Sequence, residues 1–151
     1  MSRQLPDDFH VDYELARLVR HVRARSLAHL EFLHPQLDYN TFVVFIAVCD
    51  APGGVRASDL AEGLRVHKST ISRAVAAMER MELVLRVPDP EDGRAQLLTA
   101  RDDARARLEK FRADSHDWLL SLIADWEPEA LAAFAGQLGR LNDAMDANPD
   151  L

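Results

Sequence analysis

Lys68, Ser69, Thr70, Ser72 and Arg73 place two cations and three hydroxyls within one turn and a half of chain. Over its 151 residues the protein carries a net charge of -7, so most of its surface repels anions. Hydroxyls and backbone N–H groups at a helix N-terminus hold phosphate oxygens. Arginine pairs bidentately with guanine O6 and N7. On a helix beginning near His67, Ile71, Val75 and Met78 recur at i, i+4 and i+7 and form one inward stripe. Ser69, Ser72, Arg73 and Ala76 recur at i, i+3, i+4 and i+7 on another face, narrow enough for the backbone to approach a surface closely. A solvated helix face can carry the same residue types, so the neighbouring elements decide between the two readings.

Those elements are legible from periodicity. Residues 13 to 33 carry Leu15, Leu18, Val22, Leu27, Leu30 and Leu33 at helical spacing, and His34-Pro35 ends that run. NTFVVFIAVC, residues 40 to 49, is apolar nearly all round, as a helix buried at a domain centre should be, and Pro52-Gly53-Gly54 stops it. SDLAEGL, residues 58 to 64, is a short helix, and a break at Arg65-Val66 precedes the helix that runs to about Met81. Two short helices joined by a tight turn make a helix-turn-helix. β-Prone residues 84 to 87 and 95 to 99 then flank PDPEDG, a hairpin with a long tip that offers Asp92, Gly93 and Arg94. A hairpin beside such a helix can carry an arginine into a minor groove.

Helical period returns after Thr99. Ala104, Leu108, Phe111, Ser115, Trp118 and Leu122 form one seam. Past Trp126-Glu127-Pro128, Leu131, Phe134, Leu138, Leu141 and Met145 form another. The predicted fold is therefore mainly α with a small β-hairpin wing: a winged helix-turn-helix flanked by N- and C-terminal helices whose seams need a partner.

LRVHKSTISRAVAAMERMELVLRVPDPEDGRAQLLT resembles the winged helix of the MarR (multiple antibiotic resistance regulator) family of bacterial transcription factors. The matching residues are Ser69-Thr70, Ser72-Arg73, Leu83-Val84 with Arg86, Asp89-Pro90, Asp92, Arg94 and Leu98-Thr99. The flanking helices follow the family's order. The resemblance implies one MarR-like domain over residues 1–151, with a DNA-binding lobe at 37–100 and a helical dimerisation region at 9–34 plus 101–147. It also implies a homodimeric, sequence-specific repressor of a pseudo-palindromic operator in double-stranded DNA, released by a small-molecule effector. Carried over by position, the DNA-binding residues are Lys68, Ser69, Thr70, Ser72, Arg73, Arg86 and Arg94, with Arg94 in the minor groove. Asp92 would brace the wing by pairing with Arg86. The chain departs from the family in three places: Glu82 and Asp102 stand where glycine is frequent, and Gly93 replaces the first of two wing arginines.

Charge is distributed unevenly. Residues 56 to 94 balance seven Lys and Arg against seven Asp and Glu, whereas residues 125 to 151 set Arg140 alone against six carboxylates. Bulk acidity argues against nucleic acid, but a locally neutral segment with cations on one face does not. Gly93 and the acidity also fit a winged-helix module that binds protein; a positive stripe along Lys68, Arg73, Arg86 and Arg94 would favour DNA instead. A metal- or redox-sensing variant of the regulator turns on Cys49 and the histidines. Cys49 closes an apolar helix, where a thiol is buried and inert. His21 and His29 lie about two turns apart, without a CxxC or HxxxH pair, and His67 suits a cap or a phosphate contact. Asp89, Glu91 and Asp92 read as turn formers and arginine partners rather than cation ligands.

His67 and Ser69, two apart on a helix, point to different faces and cannot pair catalytically. With no Gly-rich phosphate loop or metalloprotease motif, neither an enzyme nor a cofactor is expected. No run of 18 apolar residues could span a membrane. The polar start MSRQLPDDFHVDYE and the single cysteine point to the cytoplasm.

Overall fold

The computed structural model describes residues 10–148, and among them are six α-helices and one two-stranded antiparallel sheet. They fall into two compact units that divide within one helix, the first ending at Phe111 and the second starting at Arg112.

In the first unit, α1 (Val11–His29) ends earlier than periodicity suggests, and a 3-10 turn, Leu30–Phe32, follows it. The tighter winding of that turn lets Leu30, Leu33 and Leu37 all reach the core while the chain reverses. Helix α2 (Tyr39–Asp50) is the central element, with Phe45 and Val48 fully buried. Asp38 caps it: one carboxylate oxygen accepts from the Thr41 amide at 3.0 Å and the other from Thr41 Oγ at 2.7 Å. Helices α3 (Ala57–Gly63) and α4 (Lys68–Arg80) pack on α2.

Strands β1 (Val84–Pro88) and β2 (Gln96–Ala100) pair with Val84 opposite Ala100 and Pro88 opposite Gln96. Val55 adds one bridge to β2, exchanging hydrogen bonds with Leu98 at 3.0 and 2.8 Å. The bridge depends on Gly54, whose φ is +101°; a Cβ there would lie 2.8 Å from Thr99 Cγ2 and 3.1 Å from the Leu98 carbonyl oxygen. The chain enters α3 directly from this bridge, so the hairpin base and the helix-turn-helix share one anchor.

Helix α5 (Asp102–Leu122) begins in the first unit. There Ala104 and Leu108 are fully buried and Phe111 meets Phe42 edge-on, with ring centroids 5.3 Å apart. Arg105 Nη1 donates to the Cys49 carbonyl at 2.6 Å, and Arg107 Nη1 donates to the Leu33 carbonyl. Both acceptors lie at helix ends, where carbonyls lack partners within the helix.

In the second unit, the distal part of α5 is followed by α6 (Pro128–Ala147), with Pro128 at its first position. Trp126 and Phe134 pack edge-on at 5.7 Å. The two seams thus differ in environment along their length: Ala104 and Leu108 are core, whereas Leu122, Phe134 and Met145 are exposed. Among the described residues no helix is long and apolar enough to cross a membrane.

Candidate nucleic-acid interface

Helix α4 buries Ile71, Ala74, Val75 and Met78, the stripe that spacing predicts with Ala74 added. Lys68, Ser69, Ser72, Arg73 and Ala76 are all exposed, and Thr70 is half-buried. His67 occupies the N-cap, but its side chain makes no capping hydrogen bond, which removes the capping role expected of it. The first turn of α4 is instead closed by backbone, with the Thr70 amide donating to the His67 carbonyl at 2.9 Å.

Both helices of the pair end in the same way. At the end of α3, Arg65 N–H donates to the Glu62 carbonyl and Val66 N–H to Ala61. At the end of α4, Glu82 N–H donates to Glu79 and Leu83 N–H to Met78. This double pattern is the Schellman motif, which requires a left-handed residue after the helix and favours glycine there. Here Arg65 (φ +53°) and Glu82 (φ +55°) hold those positions. Leu83, the residue after Glu82, is buried with Met78 and fixes the direction in which β1 leaves α4.

The wing is held by two arginine–carboxylate pairs, neither of them the one expected. Arg86 donates to Glu79 from Nε at 2.7 Å and from Nη2 at 3.4 Å, joining β1 to the last turn of α4. It does not pair with Asp92, which corrects the bracing contact inferred from the sequence; seven residues separate Arg86 from Glu79, and the sharp exit from α4 folds them together. The second pair is Arg56 with Asp89, through Nε at 2.8 Å and also Nη2. Asp89 is 7% exposed, and its other oxygen accepts the Glu91 amide at 2.9 Å. That amide, followed by the Arg56 guanidinium, holds the Asp89 carboxyl below the usual carboxylate range.

Asp92 does organise the tip, though locally. Its side chain accepts the Arg94 amide at 3.1 Å, its carbonyl accepts the Ala95 amide at 2.8 Å, and its carboxylate lies 3.9 Å from Arg56. Arg94 is exposed at the end of this turn. Sequence reasoning missed Arg56 and Glu79. No periodicity links residues 33 apart, and the Val55–Leu98 bridge brings Arg56 to the wing.

A sequence profile described as the MarR family matches residues 36–95, which span the helix-turn-helix and most of the hairpin. The uncharacterized HTH-type transcriptional regulator YxaD of Bacillus subtilis (strain 168) is 30% identical over 153 residues, covering 96% of this chain and 99% of its own. The chain belongs to the MarR family. Solved structures of similar fold include a MarR protein from Peptoclostridium difficile, at a TM-score of 0.74 and 19% identity over 98% of this chain and 96% of that one. The S. aureus MepR–DNA complex follows at 0.70 and 15%, over 93% of this chain and 99% of its own. This MarR-family protein is thus a transcriptional regulator with a winged helix-turn-helix, and Cys49 is buried within its core.

Proposed function

We propose that this regulator is a homodimeric repressor that binds a pseudo-palindromic operator and is released by a small-molecule effector. Helix α4 enters the major groove with Lys68, Ser69, Thr70, Ser72 and Arg73, while Arg94 reaches the neighbouring minor groove. The observation that carries this reading is the exposed row of Ser69, Ser72, Arg73 and Ala76, set on a helix whose opposite face is core, beside a braced hairpin tipped by Arg94. Arg86 is committed to Glu79, so its part is to hold the wing at a fixed angle to α4. Dimerisation is supported by the exposed apolar side chains of the terminal helices: Leu18, Val19, Val22 and Leu27 on α1, and Phe134, Leu141 and Met145 on α6. Neither helix has a buried residue in the single chain. The regulator works in the cytoplasm, where the chromosome it reads is found.

The test is selection of genomic fragments on the purified protein at low salt, followed by titration of the retained site. Half-sites about one helical turn apart are expected, with an affinity that falls steeply as salt rises. Retention of no fragment, with or without candidate effectors, overturns the reading.

A further inference from the structure

The row that carries Ser69, Ser72 and Ala76 along α4 continues, three residues on, at Glu79. A carboxylate on that row repels phosphates. It is half-buried, and one side chain engages both of its oxygens: Oε1 accepts Arg86 Nε at 2.7 Å and Oε2 accepts Nη2 at 3.4 Å. The acid of the reading row therefore belongs to the wing.

The first strand of the wing is attached at three places. At its root Leu83 is buried, and the Leu83 carbonyl accepts the Arg101 amide at 3.0 Å. At mid-strand Glu79 holds Arg86, and just past the strand Arg56 holds Asp89. The middle attachment is the one that joins the wing to the reading row. A guanidinium fork on a carboxylate is directional, whereas apolar contact at the root leaves rotation open. An exposed ion pair adds little to the stability of the whole chain. What this one governs is the angle of the hairpin to α4.

We infer that Glu79 is a positioning residue for recognition: with Arg86 it sets the distance between the base-reading row of α4 and Arg94, so that each half-site is read as two elements at one fixed spacing. This rests on the DNA-binding reading above and deepens it. Displacing the minor-groove element by one base pair moves it by about 3.4 Å and turns it by roughly 35° about the duplex axis. A hairpin held by Glu79 cannot follow that displacement. One that pivots at its root can.

The experiment uses the full-length protein and an operator recovered by genomic selection. The outer segment of each half-site, where the wing lies, is displaced by one base pair in either direction, and the ratio of affinities for native and displaced spacing is measured. The wild type should lose about tenfold on displacement, the size of a single mismatch. Glu79→Gln and Arg86→Gln should each lose most of that ratio. Their absolute affinities should move in opposite directions, since one removes an acid from the interface and the other a cation. Arg94→Ala should lose the ratio altogether, because nothing then occupies the minor groove. The Tm of each variant should stay within about two degrees of wild type, so that the ratio reports geometry. A wild-type ratio in Glu79→Gln overturns the proposal. So does a change confined to Arg86→Gln, which would mark Arg86 as a direct contact, or a ratio that persists in Arg94→Ala. A wild type that binds both spacings alike overturns the fixed spacing and leaves the DNA reading intact, whereas one that binds no DNA removes both.

Discussion

Arg56 donates twice to a single carboxylate oxygen of Asp89, tying the N-cap of α3 to the first residue beyond β1 across 33 positions of sequence. The wing is therefore fastened near its tip to the helix that precedes the reader and, at mid-strand through Arg86 and Glu79, to the reader itself. Arg56→Gln should free the tip while leaving the core untouched. Amide exchange at Glu91 and Ala95 should quicken, and operator affinity should fall as far as it does in Arg94→Ala, although Arg56 itself is not among the proposed DNA contacts. Exchange rates unchanged from wild type would show that the tip is rigid without the pair.

Protonation tests the same fastening. The Asp89 carboxyl is depressed by the Glu91 amide and then by Arg56, so its pKa in the folded protein lies below its unfolded value of about 3.9. A depressed acid contributes its stabilisation fully above the unfolded pKa and loses it as pH falls through the folded one. The tip should therefore stay closed throughout the neutral range and loosen only below about pH 4. Carboxyl chemical shifts followed through an acid titration would reveal it, and a normal titration midpoint for Asp89 would count against the pairing.

Asp38 follows the same sign for a different reason. Burial opposes its ionisation, but the Thr41 hydroxyl and the Thr41 and Asn40 amides outweigh that and hold its carboxyl below the usual range. Asp38→Ala should lower stability by about 1 kcal/mol through loss of the α2 cap. The loss should shrink as pH falls below the usual carboxylate range and through the lowered Asp38 pKa, where the wild-type cap is itself protonated. Denaturant melts stepped downward from about pH 7 make the comparison.

The two reading elements should separate under mutation. Arg73→Ala should relax base preference at one or two positions per half-site by about 1–3 kcal/mol. Arg94→Ala should weaken every site by a similar amount and flatten the salt dependence while leaving half-site preference nearly unchanged. Titration across single-base operator variants distinguishes them. If Arg73→Ala discriminates as the wild type does, α4 is not the reader.

Dimerisation can be attacked without touching the fold of one chain. Met145 is 64% exposed, so Met145→Asp should be neutral in a monomer. Buried at a subunit interface, the same unpaired charge should cost about 3–5 kcal/mol. Sedimentation at micromolar concentration should find wild-type dimer and mutant monomer. A folded, monomeric wild type would refute the assembly.

Much of this architecture was legible in the residues. The inward stripe of α4 follows from the 3.6-residue period, and PDPEDG marked the hairpin because two prolines and an Asp-Gly pair exclude continued strand. What escaped was which residues tertiary closure pairs: Asp89 reads as an arginine partner, but its partner, Arg56, lies 33 residues away. Arg86 and Asp92 both belong to the wing, yet the left-handed residue Glu82 turns β1 back along α4 and brings Glu79 nearer to Arg86. The early end of α1 was hidden because Leu30 and Leu33 suit a helix and a 3-10 turn equally. The single seam read along α5 was in fact two environments, since a repeat of apolar residues does not say which neighbour each one meets.

The arginines of α5 limit how far this protein is modular. Arg105 and Arg107 satisfy carbonyls at the ends of α2 and of the 3-10 turn, and Ala104, Leu108 and Phe111 complete the packing around Phe42. A reading head cut after the hairpin would keep every proposed DNA contact but expose that core and remove the arginine donors to those two carbonyls. The winged helix is therefore not a portable cassette. A graft onto another scaffold would have to carry the first three turns of α5 with it, through Phe111, together with the Leu30–Leu37 segment on which Arg107 closes.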